Sequence, residues 1–231
     1  MNKAKLKMLL TTIGLVVLAG ALSLYLFQDQ LSALLVRHNR IVVTTETVHA
    51  AKAKQQARPA TYAFDDVKPL SLAQLSAATV AKHNIGAVGK IVMPQVGLNL
   101  PIALGVGNAE LAFAAGTLIE NQRMGQDNYA LAGHHMAQDE TVLFGPLVKS
   151  SVGMVAYVTD MNKIYAYQLY ERRYIKATQV SVLDPTTQAT LTLVTCDDDG
   201  AGRLLVRGRL VQTFSFNSAP SALKKLIDKP A

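Results

Sequence analysis

Thr192-Leu193-Val194-Thr195-Cys196-Asp197-Asp198-Asp199-Gly200-Ala201-Gly202-Arg203-Leu204-Leu205-Val206 reads as a strand, a turn and a second strand. Runs rich in Leu, Val and Thr flank an acidic connector containing glycine, which is the composition of a β-hairpin. If residues 189–195 and 203–211 pair antiparallel around the connector 197–202, Cys196 and Arg203 stand directly opposite each other. Opposed residues share a face, with Cβ atoms about 4.5–5.5 Å apart.

Working outward, residues 163–170 and 154–159 flank Asp160-Met161-Asn162 as a further hairpin. Short β-prone runs at 128–132, 117–119, 100–104 and 87–93 are separated by punctuation such as Gly97-Leu98-Asn99. Helical turns fit 109–113 and 143–148, and a helix over 71–83 would align Leu72, Leu75, Ala78, Val80 and Ala81. Asn84-Ile85-Gly86 would end that helix. About eight strands with few helices predict an all-β fold, a closed or nearly closed β-barrel.

Of the 231 residues 50% are hydrophobic and 17% charged, and most of the apolar excess lies in one stretch. Residues 8–27 carry no charge, a run about 20 residues long that can cross a hydrocarbon core of roughly 30 Å. Lys3, Lys5 and Lys7 precede it and the next basic residue is Arg37, so the positive-inside rule puts the N-terminus in the cytoplasm. Ala19-Gly20-Ala21 has the form of a signal-peptide cleavage site, yet the apolar run continues to Phe27, which favours a retained anchor. The expected layout is a cytoplasmic N-terminus (1–7), a transmembrane anchor (8–27), an extracellular tether (28–68), a barrel domain with its N-terminal helix (69–215) and a basic tail (216–231). A helical stalk fits within 30–57, which lacks Pro and Gly.

The net charge of +7 divides as +6 over residues 1–85, −1 over 86–214 and +2 over the remainder. A nucleic-acid enzyme would concentrate positive charge on its folded domain. Here it lies on anchor, tether and tail, where anionic lipid or wall polymer is the simpler partner.

One cysteine cannot form an internal disulfide, so Cys196 is either a small buried residue or a reactive thiol. Arg203 opposite it would favour thiolate and could donate a fork of hydrogen bonds to a developing oxyanion; alternatively it pairs with the Asp run as a surface arginine. Leu131-Ala132-Gly133-His134-His135 supplies imidazoles, which either move protons near neutral pH or are ordinary loop residues. Two His, one Cys and three Asp could also bind a metal, but no Cys-x-x-Cys or His-x-x-x-His spacing supports a zinc site.

From Gly86 to Val211 the chain resembles the class A, or housekeeping, sortases, a family of cysteine transpeptidases. The resemblance runs in order through Gly89-Lys90-Ile91-Val92-Met93-Pro94, Gly116-Thr117, Met124-Gly125-Gln126-Asp127-Asn128-Tyr129, Ala132-Gly133-His134-His135, the TLxTC signature at Thr192 to Cys196, and Arg203-Leu204-Leu205-Val206. It implies an eight-stranded sortase-like β-barrel, with Cys196 as nucleophile, His134 as general acid/base and Arg203 as oxyanion stabiliser. His134 is chosen over His135 because it directly follows the Ala-Gly pair. Thr195, Val194 and Ala132, which flank these groups, are expected to touch substrate.

The resemblance further implies cleavage of LPxTG-type sorting signals on secreted proteins between Thr and Gly through a thioacyl enzyme. An amine of lipid II or peptidoglycan then takes the acyl group, and no ATP or organic cofactor is called for. Some members bind calcium upstream of the histidine. Glu120 and Asp127 here are joined by Arg123, too few oxygen ligands to expect Ca²⁺ dependence. Pilin-polymerising sortases often carry a second, C-terminal span and an aromatic lid. The tail with Lys224, Lys225 and Lys229 has no span, and Tyr62-Ala63-Phe64-Asp65-Asp66 is a poor lid, so wall anchoring is the favoured role. A hydrolytic cysteine peptidase and a non-catalytic wall-binding β module remain as alternatives.

Overall fold

The computed structural model describes residues 3–55, 60–62, 67, 70–82, 85–136, 139–196 and 202–229. Eight strands form β1 (Ala87–Met93), β2 (Leu98–Ala103), β3 (Ala115–Thr117), β4 (Asn128–Ala132), β5 (Val155–Thr159), β6 (Lys163–Lys176), β7 (Thr190–Cys196) and β8 (Gly202–Ser215). They close into a barrel in the order β1-β2-β3-β4-β7-β8-β6-β5, the all-β architecture expected from the strand count. Most seams are antiparallel, but β2 with β3 and β4 with β7 run parallel.

β6 and β8 run on to Lys176 and Ser215, beyond the expected 170 and 211, and β2 and β3 start earlier than expected. A 3-10 turn at Pro94–Val96, closed by Gly97 at φ 75°, starts β2 at Leu98 rather than at residue 100. β3 begins at Ala115 rather than 117 because its first residues pair with Ile102 and Ala103 of β2. Inside the barrel, Ile91, Ile102, Leu131, Leu193 and Val206 are fully buried around Tyr167. Tyr167 accepts a hydrogen bond at its hydroxyl from the Gly125 N–H (2.8 Å), which seals one mouth with the loop between β3 and β4. Phe144 and Leu147 are fully buried with the core from a segment that ends in the 3-10 turn Gly145–Lys149.

Five helices surround the barrel: α1 (Lys3–His38), α2 (Thr45–Gln55), α3 (Leu72–Ala81), α4 (Asn108–Phe113) and α5 (Ser221–Ile227). α1 is long and apolar enough to cross a membrane, and none of its most apolar 18-residue window is buried in the protein. Its final turns differ, since Ser32, Ala33 and Val36 are buried. Arg37 at its end donates to Asp139 Oδ2 (2.6 Å) and Thr141 Oγ1 (2.7 Å).

The helix stops before the β-branched run Ile41-Val42-Val43-Thr44, which loses rotamer freedom in a helix. α2 restarts with Thr44 and Thr47 exchanging hydrogen bonds. Within the segment read as a tether, Val48 and Ala51 of α2 are buried. Within the segment read as a basic tail, Leu223 and Ile227 of α5 pack with Val48, Val92, Met161 and Ile164. This outer cover explains why β1 is buried along its whole length, even at Lys90. The Lys90 ammonium donates to the Ile227 carbonyl (2.6 Å) and to that of Lys229. Burial pulls its pKa down to about 8, against the opposing pull of Asp228.

α3 has a capping box between Ser71 and Gln74. Leu75 and Ala78 are its buried residues, whereas Val80, placed on the apolar face by the sequence reading, is 84% exposed. The Asn84 end signal, residues 63–66 and the turn 197–201 lie outside the described residues.

Candidate active site

The strand order β4-β7-β8 creates the site. Cys196 ends β7 and is registered with Arg203 of β8, the opposition expected from the hairpin. On the other side, β4 runs parallel to β7, with Ala130 level with Thr192 and Ala132 level with Val194. The Gly133 N–H continues this ladder by donating to the Val194 carbonyl (3.2 Å). β4 leads into His134 two residues beyond Ala132, as β7 reaches Cys196 two residues beyond Val194. Cys196 therefore ends a central strand flanked by the strand that leads to His134 and the strand that carries Arg203. Arg203 is half-buried, and its Nη1 donates to the Gly202 carbonyl (2.8 Å).

His134 is 8% exposed. Burial penalises the imidazolium and lowers its pKa to about 4, so the ring is neutral at neutral pH. The local chain is fixed by close packing. A Cβ on Gly133 would stand 2.6 Å from Cγ of Phe144, so only glycine lets that ring lie against the backbone. The Phe144 N–H then donates to the His134 carbonyl (3.0 Å). His135, the next residue, is half-buried.

Two apolar clusters lie on the outer face beside these strands. Residues of β8 alternate, with Leu204 and Val206 inward and Arg203, Leu205 and Arg207 outward. Val194 opposes the outward Leu205. Ile175, Val182, Val194 and Leu205 form one buried cluster, and Val106, Leu111 and Ala132 form another; Leu118 packs against both. Of the expected substrate contacts, Val194 and Ala132 belong to these clusters, at 7% and 1% exposed. Thr195 does not: it is registered with the inward Leu204, is 3% exposed, and its Oγ1 has no hydrogen-bond partner among the described residues. The period of two along a strand places it on the opposite face from Val194.

Sequence reasoning missed one member of these clusters. Val182 belongs to a 3-10 turn, Val180–Leu183, in the connection between β6 and β7. The apolar spelling Val180-Ser181-Val182-Leu183 was the available signal in an otherwise polar loop.

Comparison with known proteins agrees with this geometry. Residues 91–211 match the family model described as the sortase domain. Sortase A of Streptococcus agalactiae is 38% identical over 182 residues, covering 76% of this chain and 74% of that protein. Sortase A of Listeria monocytogenes is 37% identical over 174 residues, covering 73% and 78% respectively. The chain belongs to the sortase family. The crystal structure of the Listeria sortase A superposes with a TM-score of 0.58 at 38% identity, covering 62% of this chain and 98% of that one. The sortase A relatives place this sortase in class A, among cysteine transpeptidases.

Among the described residues of this sortase, no three His, Cys, Asp or Glu side chains gather as a metal site. A separate cleft of about 390 Å³ opens near Thr117, Arg123, Tyr129 and Asp160. Thr117 and Tyr129 flank the β3–β4 loop, so this cleft is distinct from the rim that carries Cys196 and Arg203.

Proposed function

We propose that this sortase is a membrane-anchored transpeptidase that cleaves LPxTG-type sorting signals of secreted surface proteins between Thr and Gly. It passes the acyl group to an amine of lipid II or peptidoglycan. The observation that supports the reading is the β4-β7-β8 order, in which Cys196 is registered with Arg203 and β7 pairs on its other side with the strand that leads to His134.

In this reading the apolar clusters around Val182 and Ala132 line a groove that receives the leucine and proline of the signal and presents the threonyl carbonyl to Cys196. Burying a leucyl side chain there contributes about 1.5–3 kcal/mol. His134 rests neutral, so it takes the Cys196 proton as sulfur attacks the carbonyl carbon. The guanidinium of Arg203 faces the oxygen that becomes negative. Collapse of the tetrahedral intermediate breaks the Thr–Gly C–N bond, and His134 gives its proton to the leaving glycine nitrogen. The acceptor amine then attacks the thioester carbonyl, His134 removes the amine proton and passes it to the Cys196 sulfur as the C–S bond breaks, which regenerates the thiol and the neutral imidazole. Bonds and protons balance without ATP or an organic cofactor, and the thioester keeps the energy of the original amide in usable form.

Three lysines before the apolar stretch favour a cytoplasmic N-terminus and a catalytic domain on the extracellular face. Both the secreted substrate and a lipid-linked acceptor meet at that surface.

The test is full-length protein in detergent with a quenched LPxTG peptide, with and without a glycine-based amine. Mass spectrometry should find an acyl adduct on Cys196 and an amide product, and Cys196→Ala should abolish both. Free acid alone in the presence of amine would point instead to a hydrolytic peptidase. Turnover unaffected by Cys196→Ala would overturn the reading.

A further inference from the structure

One buried side chain joins three parts of the site. Asn128, the first residue of β4, is 3% exposed. Its amide NH₂ donates to the Val182 carbonyl (3.0 Å) and the Asp184 carbonyl (2.9 Å). Its amide oxygen accepts from Thr192 Oγ1 (2.7 Å), and Thr192 is fully buried. The strand carrying His134, the strand carrying Cys196 and the groove-wall loop thus meet at one amide.

The preceding residue extends the attachment. Asp127 takes the left-handed conformation at φ 45°, which turns its groups toward the same loop. Its Oδ1 accepts from the Thr186 N–H (2.6 Å), and its carbonyl accepts from the Thr190 N–H (2.7 Å). Residues 127 and 128 together grip the segment between β6 and β7 at Val182, Asp184, Thr186 and Thr190. Val182 is the residue whose side chain closes the cluster of Ile175, Val194 and Leu205 beside Cys196.

We infer that Asn128, supported by Asp127, is a positioning residue for substrate recognition: it rivets the β6–β7 loop over the outer face and keeps the apolar groove formed before peptide arrives. The inference rests on the transpeptidase reading above. Only an amide suits the position, because it must offer two donors to carbonyls and one acceptor to a hydroxyl. An aspartate has the same shape but turns a charged acceptor toward two carbonyl oxygens. A rivet at this point acts on binding. Asn128 lies six positions before His134, about 20 Å along an extended strand.

The experiment compares Asn128→Asp with the unaltered full-length chain on two peptides, LPxTG and its alanine-for-leucine analogue APxTG. Unaltered protein should prefer leucine. The variant should raise KM for the leucine peptide about tenfold and lose most of that preference, the size expected when an apolar pocket contact is lost. kcat per alkylatable Cys196 should change by less than about threefold, since transition-state groups are untouched. General loss of folded protein would instead reduce the alkylatable fraction and leave both KM and the preference as they were.

Asp127→Gly removes the exposed carboxylate contact while easing the positive φ, and guards against a poorly folded first variant. It should raise KM in the same direction, and Asp127→Asn, which keeps an acceptor oxygen, should restore it. Unchanged KM and unchanged leucine preference in both Asn128→Asp and Asp127→Gly would overturn the inference. If unaltered protein turns over no peptide, the transpeptidase reading itself has failed, a result separable from the first.

Discussion

Acidification should destabilise this protein through His134, and the effect can be isolated by Gln substitution. Burial lowers the His134 pKa from 6.5 to about 4, so the unfolded chain binds a proton that the folded chain refuses between those values. The contribution is fully present above the unfolded pKa and is lost as pH falls toward the folded one. Linkage gives a loss of about 2 kcal/mol at pH 5 and about 3 kcal/mol at pH 4, relative to neutral pH. His134→Gln cannot titrate there, while the other ionisable groups remain in both proteins and cancel in the difference. The assay is urea unfolding of full-length protein in detergent, followed by circular dichroism because the chain has no Trp. Stability of the unaltered protein minus that of the variant should fall by about 2 kcal/mol from pH 7 to pH 5, or about 4–8 °C in Tm for a domain of this size. Parallel curves for the two proteins down to pH 4 would refute the reasoning, because an exposed histidine titrates alike folded and unfolded.

Three further outcomes are expected. Arg203→Lys should cost about 10²-fold in kcat, the loss typical of an oxyanion donor; peptide turnover within a few-fold of normal would remove Arg203 from that role. Thr195→Val should raise the unfolding midpoint, since it deletes a buried hydroxyl without a partner among the described residues and gains about 1 kcal/mol. A lower midpoint would mean that the hydroxyl is satisfied. Lys90→Met leaves the Ile227 and Lys229 carbonyls without their donor, at about 1–3 kcal/mol, and should speed amide exchange across α5. Unchanged exchange there would show that Leu223 and Ile227 hold the helix alone.

What could be read from the letters was local. The Cys196–Arg203 opposition follows from the length of one hairpin connector, and the observed register agrees. The approach of the strand leading to His134 depends on β4 pairing parallel with β7, although nearly sixty residues separate them. No local pattern specifies that seam; the TLxTC resemblance supplied it indirectly. The face of Thr195 could have been deduced from the two-residue period once Cys196 was placed outward. Val80 fails for the opposite reason, since a loose apolar stripe on α3 does not say which edge of it meets the barrel. The part played by Asn128 was invisible because it comes from a loop folding back over distant strands, and Val182 showed only as an apolar spelling within that loop.

The last turns of α1 lie against the domain and Arg37 is fastened to Asp139, so the span and the barrel meet through a strut rather than a leash. From Phe27 to His38 the helix rises about 16 Å. With α1 as the proposed anchor, that rise and the docked final turns would hold the barrel at a set distance from the bilayer, and the reach of a sorting signal to that distance would become a selection criterion.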